Sequence, residues 1–89
     1  MKKIEFRASN SARKFFKKNN NIFEKFKDNI IREIKTDYKP DIKKLKGYSD
    51  LLRMRVGDYR VIYKVDNNQI IVVSILMAGH RKDIYSKIK

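Results

Sequence analysis

The chain has 89 residues, 42% of them apolar, with no cysteine and a formal charge of +13 from 23 Lys and Arg against 10 Asp and Glu. That length supports one domain, residues 1–89, around one core; the missing cysteines exclude disulfides and thiolate metal sites. No apolar run approaches the roughly 20 residues of a membrane span, the N-terminal lysines lead into no apolar stretch, and a cytoplasmic protein that meets an anionic partner is expected.

The first element is a short strand over 3–7 with Ile4 and Phe6 inward. Ser9 or Asn10 caps the next helix, which carries Ala12, Phe15 and Phe16 on one face and Arg13, Lys14, Lys17 and Lys18 elsewhere. Asn19-Asn20-Asn21 reads as a break, with Asn21 three residues before Glu24 at capping-box spacing. Ile22, Phe23, Phe26, Ile30, Ile31 and Ile34 then recur at helical steps, so a second helix runs to about Lys35. The two helices are expected to form a hairpin over a sheet.

Pro40 ends the helical region, Ile42 and Leu45 dip toward the core, and Gly47 marks a turn. Three strands follow, over 51–56, 59–65 and 69–77, joined by Gly57-Asp58 and Asp66-Asn67-Asn68 turns. The run Ile70-Ile-Val-Val73 suggests burial on both faces, Gly79 ends the last strand, and 82–88 is a basic tail of one or two helical turns. The fold class is α+β: an N-terminal strand, a two-helix hairpin, a three-stranded antiparallel meander in one sheet, and a short basic C-terminal tail.

Strand alternation sets Arg53 and Arg55 on one face, with Leu52, Met54 and Val56 on the other. Arg60 lies across the Gly57-Asp58 turn, His80 and Arg81 follow the third strand, and Tyr85 is four residues further on. Paired guanidinium groups repel one another and add little to a fold, whereas a phosphate backbone binds them well. Any single arginine is also at home as a solvated charge, His80 as a capping residue, and Tyr85 as a ring packed beside Ile84 and Ile88. With one histidine, no thiol and scattered carboxylates, no metal site or cofactor is expected. RNA cleavage needs neither, because the ribose 2′-hydroxyl is the nucleophile. Fixed arginines suit the charge of a phosphorane-like transition state but hold their protons below about pH 12, so a His or Tyr must help.

The motifs Lys44-Leu-Lys-Gly47, Leu-Arg-Met-Arg-Val-Gly-Asp-Tyr-Arg-Val-Ile-Tyr and Ala78-Gly-His-Arg-Lys-Asp-Ile-Tyr85 resemble the RelE/ParE superfamily of type II toxin–antitoxin toxins, the RelE branch more than the ParE branch. The resemblance covers nearly the whole chain. It implies a ribosome-dependent endoribonuclease that cuts mRNA in the A site without metal and so inhibits translation. By the same resemblance, Arg53 and Arg55 match the basic pair of the central strand and Arg60 the arginine that contacts the scissile phosphate. Arg81 then stabilises the transition state or leaving group, and Tyr85 stacks on a base or orients the attacking hydroxyl. Lys43, Lys44, Lys46, Lys82 and Lys87 are expected RNA contacts. The best-known members carry lysines where this chain has Arg53 and Arg55, which makes His80 the more attractive acid–base group beside Tyr85. The implied partners are an acidic cognate antitoxin and the ribosome with its mRNA and rRNA, the free toxin being a monomer. The alternatives are a ParE-like gyrase inhibitor and an inert module that binds only antitoxin or ribosome.

Overall fold

The computed structural model describes residues 2–87, with side chains as far as Ile84. The elements are β1 (Ile4–Ala8), α1 (Asn10–Lys18), α2 (Asn20–Lys35), β2 (Ile42–Lys44), β3 (Leu52–Val56), β4 (Tyr59–Asn67), β5 (Ile71–His80) and α3 (Arg81–Lys87). They build one five-stranded sheet in the order β1-β5-β4-β3-β2. The β3-β4-β5 part is an antiparallel meander, and β1 runs parallel to β5.

The sheet is therefore mixed and one strand larger than expected. The extra strand, β2, pairs Ile42 with Met54 and Lys44 with Leu52. The Asp41 carbonyl, which accepts from the Arg55 amide at 2.9 Å, extends that edge. Three residues with two exposed lysines carry no alternation signal of their own, and pairing with β3 is what makes them a strand.

Alternation divides the side chains between two faces. Phe6, Ala8, Met54, Val56, Val61, Tyr63, Val73 and Ile75 face α1 and α2 and form the main core with Ala12, Phe16, Ile22, Phe26 and Ile30. Phe26 sits edge-on to both Phe6 and Tyr63, at centroid distances of 6.3 and 5.1 Å. Ile62 and Ile84 are equally buried but stand outside this cluster. They belong to the opposite face, where α3 lies over Gly79. A β-carbon there would sit 3.5 Å from Ile84 Cδ1, an ordinary contact distance, so Ile84 packs directly over Gly79.

Ser9 caps α1, its Oγ accepting from the Ala12 amide at 3.2 Å and donating to the Leu76 carbonyl at 2.7 Å. That carbonyl is available because Ile62 faces Met77 while Tyr63 faces Ile75, leaving Leu76 as a bulge without a partner on β4. The expected cap at Asn21 is not formed. Asn19 occupies the junction of the two helices without a side-chain cap, and its amide group donates to the Phe15 carbonyl instead. Gly79 does not end β5, which runs on through His80, because Tyr59 pairs with His80 and continues the ladder. Within the apolar run, Ile71 and Val73 are buried and Ile70 is exposed, since α3 covers only the other end of β5.

Candidate functional site

The β3–β4 turn organises the site. Gly57 takes φ +61°, the left-handed backbone a two-residue hairpin needs. The turn sets Arg55 directly opposite Arg60, and Arg60 in turn faces Gly79 on β5. One step along the strands, Lys43, Arg53, Ile62 and Met77 form a second row on the same face. The Arg81 amide donates to the Asp58 carbonyl at 3.0 Å, which moors the start of α3 on the same turn. Arg55, Arg60 and the backbone of Arg81 are thus gathered at one corner of the sheet.

Their environments differ sharply. Arg55 and Arg81 are exposed. Arg60 is only 4% exposed, contrary to the surface position its residue type suggests. Its Nη1 donates to the carbonyls of Gly57 at 3.1 Å and Tyr59 at 3.0 Å, while Nε has no partner. Among the described residues no carboxylate pairs with it. A buried, rigid cation held by neutral carbonyls keeps its charge uncompensated, a costly arrangement in which anion binding is strongly favoured.

Arg53 is committed differently: it makes an ion pair with Asp41 at 3.3 Å and is 14% exposed. The sequence held no signal for this partner, which lies twelve residues earlier in a segment without periodicity. Lys43 shares the face of Arg53, Lys44 the opposite face with Leu52, and Lys46 sits beside Gly47 in the turn before β3. Lys82 is exposed on α3. The side chains of Tyr85 and Lys87 lie outside the described residues.

His80 is not brought onto the arginine face. It pairs with Tyr59 on the α1 side of the sheet, with the rings edge-to-face at 5.9 Å. Tyr59 in turn packs on Phe15 of α1 at 5.5 Å. His80 Nδ1 accepts from the Lys82 amide at 3.3 Å, so the imidazole caps α3. It borders a groove of about 280 Å³ between α1 and the β5–α3 junction, lined also by Ser11, Asn19 and Asp83. Among the described residues no three His, Asp or Glu side chains are grouped as metal ligands.

A basic α+β toxin fold of the RelE/ParE superfamily is what this architecture defines. The RelB-RelE antitoxin-toxin complex from Methanococcus jannaschii is similar at TM-score 0.65 and 30% identity, covering 93% of this chain and 99% of the other. The archaeal RelE-RelB complex from Pyrococcus horikoshii OT3 is similar at TM-score 0.64 and 32% identity, covering 91% and 97%. Toxin RelE3 of Methanocaldococcus jannaschii is 49% identical over 49 residues, 55% of this chain and 52% of that protein. The match thus spans about half of that relative. Residues 2–85 match the family described as ParE toxin of type II toxin-antitoxin system, parDE, and the chain belongs to this toxin family.

Proposed function

We propose that this toxin is an endoribonuclease that cuts mRNA in the A site of the ribosome, with Arg55, Arg60 and Arg81 acting on the scissile phosphate. The observation that carries the reading is the Arg60 guanidinium, buried, fixed by two carbonyls and paired with no acid among the described residues, directly across from the exposed Arg55. A preorganised cation of this kind stabilises charge that develops on a phosphoryl group without having to reorganise. The substrate brings its own nucleophile, the ribose 2′-hydroxyl. Arg55 grips the non-bridging oxygens as the phosphorane forms, the buried Arg60 stabilises the same charge from beneath the surface, and Arg81 approaches the departing 5′-oxygen. Proton transfer belongs to Tyr85 or to His80. For His80 it requires the imidazole to leave its place beside Tyr59 and reach round the end of β5. Arg53, neutralised by Asp41, contributes to binding rather than to the transition state. Lys43, Lys44, Lys46, Lys82 and Lys87 supply further RNA contacts.

The similar RelB–RelE complexes pair a toxin with an antitoxin, and an acidic antitoxin is the proposed protein partner of this chain, whose charge of +13 is complementary to it. A second reading, inhibition of gyrase through protein binding alone, is favoured by the ParE family match and by the separation of His80 from Arg60.

Programmed ribosomes distinguish the two. Arg60→Met removes an uncompensated buried charge and leaves stability equal or higher, while mRNA cleavage falls on the order of 100-fold or more. Arg55→Ala and Arg81→Ala reduce cleavage with little change in Tm. Full cleavage by Arg60→Met excludes its assigned role. No cleavage by the parent toxin, together with inhibited gyrase supercoiling, selects the second reading.

A further inference from the structure

We infer that Asp41 is a positioning residue that sets the register of the RNA strand: its carboxylate holds Arg53 back from the scissile phosphate and so assigns that phosphate to Arg55. This role rests on the nuclease reading and adds a register to it. Carried one residue beyond Ile42 and Met54, the β2–β3 pairing sets Asp41 across from Arg55, and the Arg55 amide donates to the Asp41 carbonyl at 2.9 Å. The carboxylate nevertheless takes the other arginine. Arg53 Nη2 donates to Asp41 Oδ1 at 3.3 Å, diagonally across the two strands. Arg53 Nε has no partner, so among the described residues this bond is what fixes the guanidinium.

This pair differs from the other ion pairs of the described residues. The Arg53 side chain is 14% exposed, whereas the bases of the other three pairs are 29% exposed or more. Its neighbours on the face are cations: Lys43 lies directly across on β2, and Arg55 two residues along β3. Like charges in those positions repel one another. Without Asp41, the guanidinium turns to whatever anion lies over the face.

Residues two apart on a strand face stand about 6.6–6.8 Å apart, a spacing comparable with that of successive phosphates on a single RNA strand. Two open guanidinium groups at that spacing accept the strand in two registers, displaced by one nucleotide. The two registers are not equivalent. Across β3 from Arg55 lies Arg60, the buried cation, whereas across from Arg53 lies Ile62. A phosphate seated on Arg53 therefore meets no second cation from β4 and is held unproductively. Occupying Arg53 with a carboxylate of the protein's own disfavours that pose, and discrimination is obtained by weakening the wrong complex.

The test begins with binding of a single-stranded 2′-O-methyl RNA, which lacks the attacking hydroxyl and cannot be cut, titrated across salt concentrations. Asp41→Asn keeps the side chain's size and the backbone bond to Arg55 but removes the charge. It is expected to bind about threefold more tightly or better, and to steepen the log K against log salt slope by about 0.7, the increment for one more phosphate contact on a single strand. In an Arg53→Gln background the same substitution changes neither quantity. Glu24→Gln, which removes an exposed carboxylate on α2, changes both far less. A gain that persists without Arg53, or that Glu24→Gln matches, reduces Asp41 to generic charge and overturns the inference. A loss of affinity in Asp41→Asn overturns it too. On programmed ribosomes, Asp41→Asn adds a cut at the neighbouring phosphodiester, and Arg53→Gln in the same chain removes that cut again. An active Asp41→Asn toxin that cuts only where the parent cuts overturns the assigned register. A parent toxin that cuts nothing sinks the nuclease reading instead, and the binding cycle with Arg53 still decides whether Asp41 holds that arginine back.

Discussion

Tyr63 carries its ring into the centre of the main core, and its hydroxyl goes with it. The ring is edge-on to Phe26, and Oη finds no hydrogen-bond partner among the described residues. Burial first, and the negative charge of Glu33 second, hold this phenol protonated well above its ordinary range near 10. In the unfolded chain the same group ionises near pH 10. Its proton is then released on unfolding, so the stability it contributes is complete below about pH 10 and is lost as pH rises further. Tyr63→Phe removes an unsatisfied hydroxyl and keeps the ring. It is expected to raise stability by about 1 kcal/mol at pH 7, or about 4–8 °C in Tm, and to widen that margin above pH 10. Parallel Tm curves for parent and variant between pH 7 and 10.5 would mean that the hydroxyl is solvated in the folded protein rather than buried. Nothing in the sequence marks Tyr63 as different from Tyr59 on the same strand. Nor does it mark Arg60 as buried: arginine is read as a surface residue, and this one folds back onto the carbonyls of Gly57 and Tyr59.

At the scale of elements, the segments with a strong local period were legible and those defined by a neighbour were not. The α2 stripe and the β3–β4 hairpin follow from helical spacing and from a Gly-Asp turn. The parallel pairing of β1 with β5 and the existence of β2 depend on distant strands offering an edge, which no local pattern encodes. The same holds for the site. Arg53, Arg55 and Arg60 were recognisable as one group, but their division into a neutralised, an exposed and a buried cation was decided by Asp41 and by the Gly57 and Tyr59 carbonyls at the turn on which α3 is moored. The seating of α3 therefore has a measurable role. Gly79→Ala places a methyl in ordinary contact with Ile84 and is expected to be tolerated. Gly79→Phe occupies the place of Ile84, costs about 1–3 kcal/mol by overpacking, and lifts Arg81 from the Asp58 carbonyl. Hydrogen exchange read at the Arg81 and Ile84 amides should show protection kept in the first variant and lost in the second. Protection retained in Gly79→Phe would mean that α3 is held by contacts other than this seat.

For the whole molecule, positive charge is what the fold leaves unbalanced. The 10 acids cannot neutralise the 23 bases, and the four ion pairs of the described residues all use exposed carboxylates. Such pairs contribute little each, so screening them removes little. The repulsion acts across a body of 37 × 29 × 24 Å. The Debye length is about 30 Å at 0.01 M salt, which leaves repulsion across that body largely intact, and about 10 Å at 0.1 M, which confines it to neighbours. Raising sodium chloride from 0.01 to 0.3 M is therefore expected to raise Tm by several degrees, with most of the gain below 0.1 M. Chloride is the appropriate anion, because sulfate would also strengthen apolar burial. A quadruple Gln variant of α1 at Arg13, Lys14, Lys17 and Lys18, relieved of two like-charge helix pairs and four positive charges, should start from a higher Tm at 0.01 M and respond less. A Tm that falls with salt would show that attractive pairs outweigh repulsion. In that case an acidic or nucleic-acid partner would gain nothing from relieving strain in the free toxin, and its affinity would have to come from contacts alone.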